Sequence, residues 1–246
     1  MQVTVLGACG AWPEPDNACS GFLVEQDGYR LLLDAGYATL PRLLTLLDAA
    51  ELDAVYITHG HPDHCADLSP LLRARALGGG DSTPLPVYAL PGALDAVLAL
   101  DHPRMIGRAY ELRPIADGQP LTIGPFHAEP RLLPHWLPNA GVRLTAAGRT
   151  LAYTGDAGPD RRTVELARNA DLFIAEATHL GELPPDTPPY LCTVEQAADQ
   201  AAAAGVHHLL LTHLWPGTDP ESARAAARSR FAGETAVATR GQRLTV

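Results

Sequence analysis

Ala54-Val55-Tyr56-Ile57-Thr58-His59-Gly60-His61-Pro62-Asp63-His64 is the stretch on which the reading of this 246-residue chain turns. Its first half is a short apolar run rich in β-branched and aromatic residues, the signature of a buried strand. Helical periodicity follows over 66–77, so His59, His61, Asp63 and His64 fall on a strand-to-helix turn. There they can converge on one spot. Neutral imidazoles and a carboxylate suit zinc and comparable divalent metals, and no cysteine competes within the motif. Burying several such groups without a cation would be costly, so the motif points to a metal centre.

Working outward, Val3-Thr4-Val5-Leu6, Gly21-Phe22-Leu23-Val24 and Leu31-Leu32-Leu33 are short apolar runs bounded by Gly, Asp or Pro and predict strands. The pattern predicts helices over 39–50, 66–77, 92–100 and 161–170. A capping box of Thr193 and Gln196, with Gly205 as stop, marks a further helix over 193–204, and Asp219-Pro220 opens another. Strands followed by mixed strands and helices imply a layered domain over 1–246. Residues 78–84 and 181–189 read as loops, the second as either a lid or a plain surface connection. There is also an internal echo. Leu31-Leu32-Leu33-Asp34-Ala35-Gly36 parallels Leu151-Ala152-Tyr153-Thr154-Gly155-Asp156, and Val55-Tyr56-Ile57-Thr58-His59 parallels Leu209-Leu210-Leu211-Thr212-His213. It fits two similar halves meeting at one site, or the general likeness of strand ends.

Composition excludes several classes. Hydrophobic residues at 46% and charged residues at 19% describe a globular chain rather than a disordered one. All 18 basic residues are arginine and there are 28 acidic ones, a formal net charge of −10. An acidic chain gains little from the counterion release that drives nucleic-acid binding, so a polymeric nucleic acid is disfavoured as partner. The N-terminus lacks a secretory pattern and no run of eighteen apolar residues occurs, which sets the expectation of a cytoplasmic protein away from membranes. Cys9, Cys19, Cys65 and Cys192 show no CxxC spacing and read as reduced, buried thiols.

Three more residues complete a ligand set: His135 after an apolar run, Asp156 at the end of Leu151-Ala152-Tyr153-Thr154-Gly155, and His213 at the end of Leu209-Leu210-Leu211-Thr212. Seven ligands exceed the four of a closed structural zinc site and suit two metals with open positions. His59, His61 and His135 are assigned to one, Asp63, His64 and His213 to the other, and Asp156 to a bridge between them. Zinc leads, with manganese and iron open. Such a pair supplies water as the nucleophile, so no serine or cysteine is needed. Asp34 reads either as a partner of a ligand imidazole or as a plain turn aspartate.

These residues resemble the metallo-β-lactamase superfamily, whose five motifs match at Asp34, His59-Gly60-His61-Pro62-Asp63-His64, His135, Asp156 and His213. The resemblance implies an α+β fold, a four-layer αββα sandwich of two similar halves with the metal site at its edge. Gly7-Ala8-Cys9-Gly10-Ala11-Trp12-Pro13, Tyr153-Thr154-Gly155-Asp156 and Ala175-Glu176-Ala177-Thr178 are most similar to the ribonuclease Z and phosphodiesterase branch. In that branch the glutamate matching Glu176 pairs with a histidine; here Leu191 occupies the histidine's position. His179 either supplies the missing imidazole for proton delivery or is a surface histidine. The branch's inserted tRNA-holding arm has no counterpart in this sequence.

The expected function is a metal-dependent hydrolase of a small phosphodiester, a cyclic nucleotide among the candidates, with Asp63, Glu176, His179 and Asp34 serving catalysis. A lactone, thioester or other acyl ester is the alternative substrate, and a non-catalytic metal-bound scaffold or sensor the third reading. The expected partner is a small-molecule substrate. A homodimer is open, with 90–100 as either interface or core.

Overall fold

The period-2 alternation of the apolar strands dictates the layering. Leu31 and Leu33 face one side of their strand and Leu32 the other; Ala54 and Tyr56 oppose Val55 and Ile57; Leu172 and Ile174 oppose Phe173 and Ala175. Both faces of these strands are apolar, so each sheet must be covered twice. The computed structural model, which describes residues 1–78, 83–183 and 186–246, meets that requirement with two sheets face to face and helices on both outer surfaces. This is the four-layer αββα sandwich.

The first sheet holds β1 (Gln2–Cys9), β2 (Ala18–Cys19), β3 (Gly21–Gln26), β4 (Tyr29–Leu33), β5 (Ala54–Tyr56), β6 (Leu85–Ala89) and β7 (Tyr110–Pro114). The second holds β8 (Leu121–Ile123), β9 (Phe126–Leu133), β10 (Asn139–Ala146), β11 (Arg149–Tyr153), β12 (Leu172–Glu176), β13 (His208–Thr212) and β14 (Glu234–Val237). The last strand, β15 (Arg243–Thr245), returns to the edge of the first sheet beside β1. The main orders are β15-β1-β3-β4-β5-β6-β7 and β8-β9-β10-β11-β12-β13-β14. Read in these directions, both sheets run antiparallel up to β4 or β11 and parallel from there on.

The halves are therefore alike, with β4 matching β11. The first sequence echo lies on that pair. The second is displaced by one strand, because the topological match of β5 is β12, not β13.

Outside the first sheet lie α1 (Leu40–Leu43), α2 (Pro62–Cys65), α3 (Leu68–Leu77), α4 (Asp95–Leu98) and α5 (Pro103–Ile106); outside the second lie α6 (Arg161–Ala167), α7 (Val194–Ala204) and α8 (Pro220–Arg228). Several are shorter than their periodicity predicts, each for a local reason. After α1 the Thr45 hydroxyl donates to the Arg42 carbonyl, and Glu51 accepts from the Asp48 amide to restart the chain as a short helical turn. Gly92, at φ +79, delays α4, and Asn169, at φ +51, ends α6. The capping box of Thr193 and Gln196 and the left-handed Gly205 bound α7. Most of loop 78–84 and the centre of 181–189, including any lid motion there, lie outside the described residues. No helix among the described residues is long and apolar enough to cross a membrane.

The sheets are stitched at the edge where the parallel strands end. The Tyr56 hydroxyl donates to the Ala140 carbonyl, and the Ala140 amide donates to Thr58 O at 2.9 Å. Gly155 closes this seam at φ +59, and a Cβ there would fall 2.4 Å from Asn139 Oδ1 and 2.7 Å from the Thr58 side chain. Gly155→Ala is expected to cost about 2–4 kcal/mol, read as a lowered urea midpoint with unchanged slope.

All four cysteines are free and buried. Burial pushes Cys9 and Cys65 up to about 12 and holds Cys19 and Cys192 above the ordinary range. A raised thiol has almost no thiolate near neutrality, so the native protein at pH 8 should resist iodoacetamide and the unfolded chain should take up four equivalents by mass spectrometry.

Candidate metal centre

Each candidate ligand follows from where a strand stops. His59 lies three residues beyond β5, Asp156 three beyond β11 and His213 directly after β13, all at the ends of parallel strands; His135 follows β9. His61 is the N-cap of α2, with Pro62 in its first turn, and α2 carries Asp63 and His64. Gly60 lets the turn pass close under its neighbour, since a Cβ there would lie 2.3 Å from Ala93 O. His213 adopts φ +60, and its amide bonds Ala8 O in the first sheet at 2.8 Å.

The seven candidate side chains come together as two groups. His59, His61, His135 and Asp156 each offer a donor atom within 4.8 Å of the others, and so do Asp63, His64, Asp156 and His213. Asp156 belongs to both. Its Oδ2 lies 3.8 Å from His59 Nε2 and 3.7 Å from His135 Nε2; its Oδ1 lies 3.0 Å from His64 Nε2 and 3.3 Å from His213 Nε2. One oxygen thus faces each group.

Hydrogen bonds behind the rings fix which nitrogen points inward. The buried Asp34 carboxylate only accepts, so the Thr58 hydroxyl, 2.9 Å from Oδ2, donates to it. Thr58 Oγ1 then accepts from His59 Nδ1 at 3.1 Å, which leaves the His59 Nε2 lone pair facing the group. His64 Nδ1 donates to Asp34 Oδ2 at 2.7 Å, and His135 Nδ1 to the Tyr190 carbonyl at 3.0 Å. His213 Nδ1 donates to Thr178 Oγ1 at 2.8 Å, and the Thr178 hydroxyl passes its proton toward Glu176 Oε1. Such outer contacts orient ligand imidazoles and raise their basicity. Asp34 also accepts from the Thr58 amide and the Tyr153 hydroxyl, so it is a positioning residue and not a lone turn aspartate.

Two buried atoms at the centre, His64 Nε2 and Asp156 Oδ1, have no hydrogen-bond partner although they lie 3.0 Å apart. A divalent cation fits that convergence of lone pairs. Electrostatics agree. Burial holds His59 well below its usual range and lowers His61 and His135, keeping neutral donors. Burial opposes charge on His64 and His213 too, yet Asp156 with Asp34 raises the first, and Asp156 with Asp63 raises the second. His213 and His64 in turn outweigh burial to hold Asp156 well below the carboxylate range. The carboxylates pull positive charge into the centre, which a cation supplies without protonating the donors.

One expected pairing needs correction. The Glu176 carboxylate does not pair with His179. It accepts from the Thr178 amide, the Thr178 hydroxyl and the Cys192 amide, while burial and Asp156 push it up to about 7. Residues 176 and 178 share one side of the extended chain and 179 falls on the other, where its ring stacks on Trp215 with centroids 6.1 Å apart. Glu176 acts on the centre through Thr178 and His213. Thr178, Thr58 and Tyr153 escaped the sequence reading as functional residues, although all three sit inside stretches it quoted. Thr178→Val removes the hydroxyl with little change in shape and should weaken cation binding about 10- to 100-fold in chelator competition; unchanged affinity would remove Thr178 from this role.

Comparison with known proteins places this geometry. The description "Beta-lactamase superfamily domain" matches residues 29–214. "Probable metallo-hydrolase YhfI" of Bacillus subtilis is 33% identical over 98% of this chain and 98% of its own. A ribonuclease Z of Mycobacterium avium is 30% identical over 95% of this chain and 94% of its own. The crystal structure of the metallo-β-lactamase fold protein YhfI superposes with a TM-score of 0.90, at 31% identity, covering 99% of this chain and 98% of that one. Matched in its domain and in relatives along nearly its full length, the chain belongs to the metallo-β-lactamase superfamily, as a metallo-hydrolase related to ribonuclease Z.

Proposed function

We propose that the protein is a dinuclear hydrolase of a small phosphodiester, with two divalent cations, zinc foremost, held by the two groups that share Asp156. The observation that carries this reading is Asp156 itself, a buried carboxylate with one oxygen toward each set of donors. Nitrogen and carboxylate donors suit zinc, and manganese or iron take the same set. When bound, such cations supply Lewis acidity toward a phosphoryl oxygen and lower the pKa of water.

The chain's own residues do the rest. Asp63 Oδ2 accepts from the Ala11 amide at 2.9 Å and lies 3.2 Å from His213 Nε2, so its free electron pairs are fixed toward the second group. Asp34, directly and through Thr58, and the Thr178–Glu176 relay hold three of the imidazoles by Nδ1 and so turn their Nε2 atoms inward. The substrate is small and singly charged on this reading. Among the described residues no arginine bonds or pairs with any of the seven, and the chain has no lysine to meet a run of phosphates. The ribonuclease Z relative, an RNA-cutting enzyme by its name, supports chemistry at phosphorus.

One observation favours the acyl alternative. Glu176 is taken up by Thr178 and Cys192 while His179 stacks on Trp215, so the pair expected to protonate a departing alkoxide is not formed, and a lactone or activated ester needs that help less. Metal analysis with parallel assays on bis-p-nitrophenyl phosphate and p-nitrophenyl acetate decides between them. The phosphodiester should turn over faster, and Asp156→Ala should lose metal and at least about a hundredfold in rate. Turnover of the acetate alone would overturn the phosphodiester reading, and inertness to both would revive the scaffold.

A further inference from the structure

The chain has three tryptophans, and all three stand at the rim of the metal centre. Trp12 follows Ala11, whose amide binds Asp63; Trp136 follows His135; Trp215 comes two residues after His213. Their exposures are 48%, 52% and 43%, high for side chains that gain most from burial. Trp12 and Trp215 meet nearly perpendicular, at 85° with centroids 5.1 Å apart, and so form an aromatic corner backed by His179. Trp136 stands 5.2 Å from His135 and 5.3 Å from Tyr190.

The segments that carry Trp12 and Trp215 are tied by backbone bonds beside the centre. The Trp215 amide donates to Thr178 O at 3.0 Å, and the Gly10 amide to Leu214 O at 3.1 Å. Beside Gly60, between two of the histidines, lies a cavity of about 410 Å³ whose lining, including Leu90, Ala93, Leu137 and Pro138, carries no charged side chain. A group that reaches His64 Nε2 and Asp156 Oδ1 carries its substituents past this rim. The rings offer flat apolar area, and Arg240, which lines a pocket together with Trp215, Glu14 and Asp16, is paired with Asp16 at 3.7 Å.

We propose that Trp12, Trp136 and Trp215 form a stacking rim for a planar aromatic ring carried by the substrate, which makes the substrate a phosphate ester of a ring-bearing alcohol of the nucleoside class. Trp215, stiffened by His179 and cornered by Trp12, is the principal specificity residue. This rests on the phosphodiester reading and deepens it, because stacking on an aromatic face accepts any base and needs no countercharge.

Because every tryptophan belongs to the rim, tryptophan emission excited selectively over the seven tyrosines reports on the rim. Adenosine 5′-monophosphate and ribose 5-phosphate, which differ only in the ring, are titrated into the zinc-loaded protein. The nucleotide should quench the emission and bind about tenfold more tightly than the sugar phosphate. Trp215→Ala should shrink that ratio below about threefold, and Trp215→Phe should restore it. Equal affinities, no quench by either ligand, or a ratio unmoved in Trp215→Ala would overturn the proposal. A fluorescence change on diluting the protein, without one on adding nucleotide, would make the rim an interface between copies and overturn it as well. None of these readings needs turnover, so failure of the rim is distinguishable from failure of the hydrolase, which shows as inertness to bis-p-nitrophenyl phosphate.

Discussion

A single buried carboxylate, Asp34, organises the edge at which the two sheets meet. It is fully buried, sits at φ +57, and accepts from the Thr58 amide and hydroxyl, His64 Nδ1 and the Tyr153 hydroxyl. Burying an ionised group is tolerable only when its lone pairs are satisfied, and here the donors come from both halves of the molecule. The same bonds that satisfy Asp34 set the tautomers of His59, through Thr58, and of His64. Stability of the seam and chemistry of the centre are thus one network.

The second network, Glu176–Thr178–His213, plays the matching part in the other half. Glu176 ends β12, the topological counterpart of β5. The twofold likeness of the halves therefore extends to the way a hydroxyl relays between a carboxylate and an imidazole, although the ligands themselves are unequal. The first half supplies four of the seven and the second three, and each group draws on both.

The convergence of the seven side chains was legible because metal binding restricts residue type and spacing together; few other duties place two imidazoles, a carboxylate and a third imidazole within six positions after an apolar strand. The layering was legible too, since Leu31-Leu32-Leu33 and Leu172-Phe173-Ile174 admit coverage on both faces only. Helix lengths were less so, because Thr45 and Asn169 act through local bonds and dihedrals that apolar periodicity does not record. The hydroxyl partners were hidden for another reason. Threonine and tyrosine are common everywhere, and the contacts that give Thr178, Thr58 and Tyr153 their roles join residues 35, 24 and 119 positions apart. The Glu176–His179 pairing failed on strand alternation, which sends neighbours three apart to opposite sides.

Because each donor group is assembled from both sheets, the spacing of its atoms is inherited from the thickness of the oily layer between them. Phe22 and Tyr153, packed edge to face with centroids 5.3 Å apart, are part of that spacer, and Tyr153 ends in the bond to Asp34. An apolar filling here serves as a calliper for an ionic pocket. Repacking far from the pocket would register first as a changed preference among cations of different radius, before any loss of folded structure.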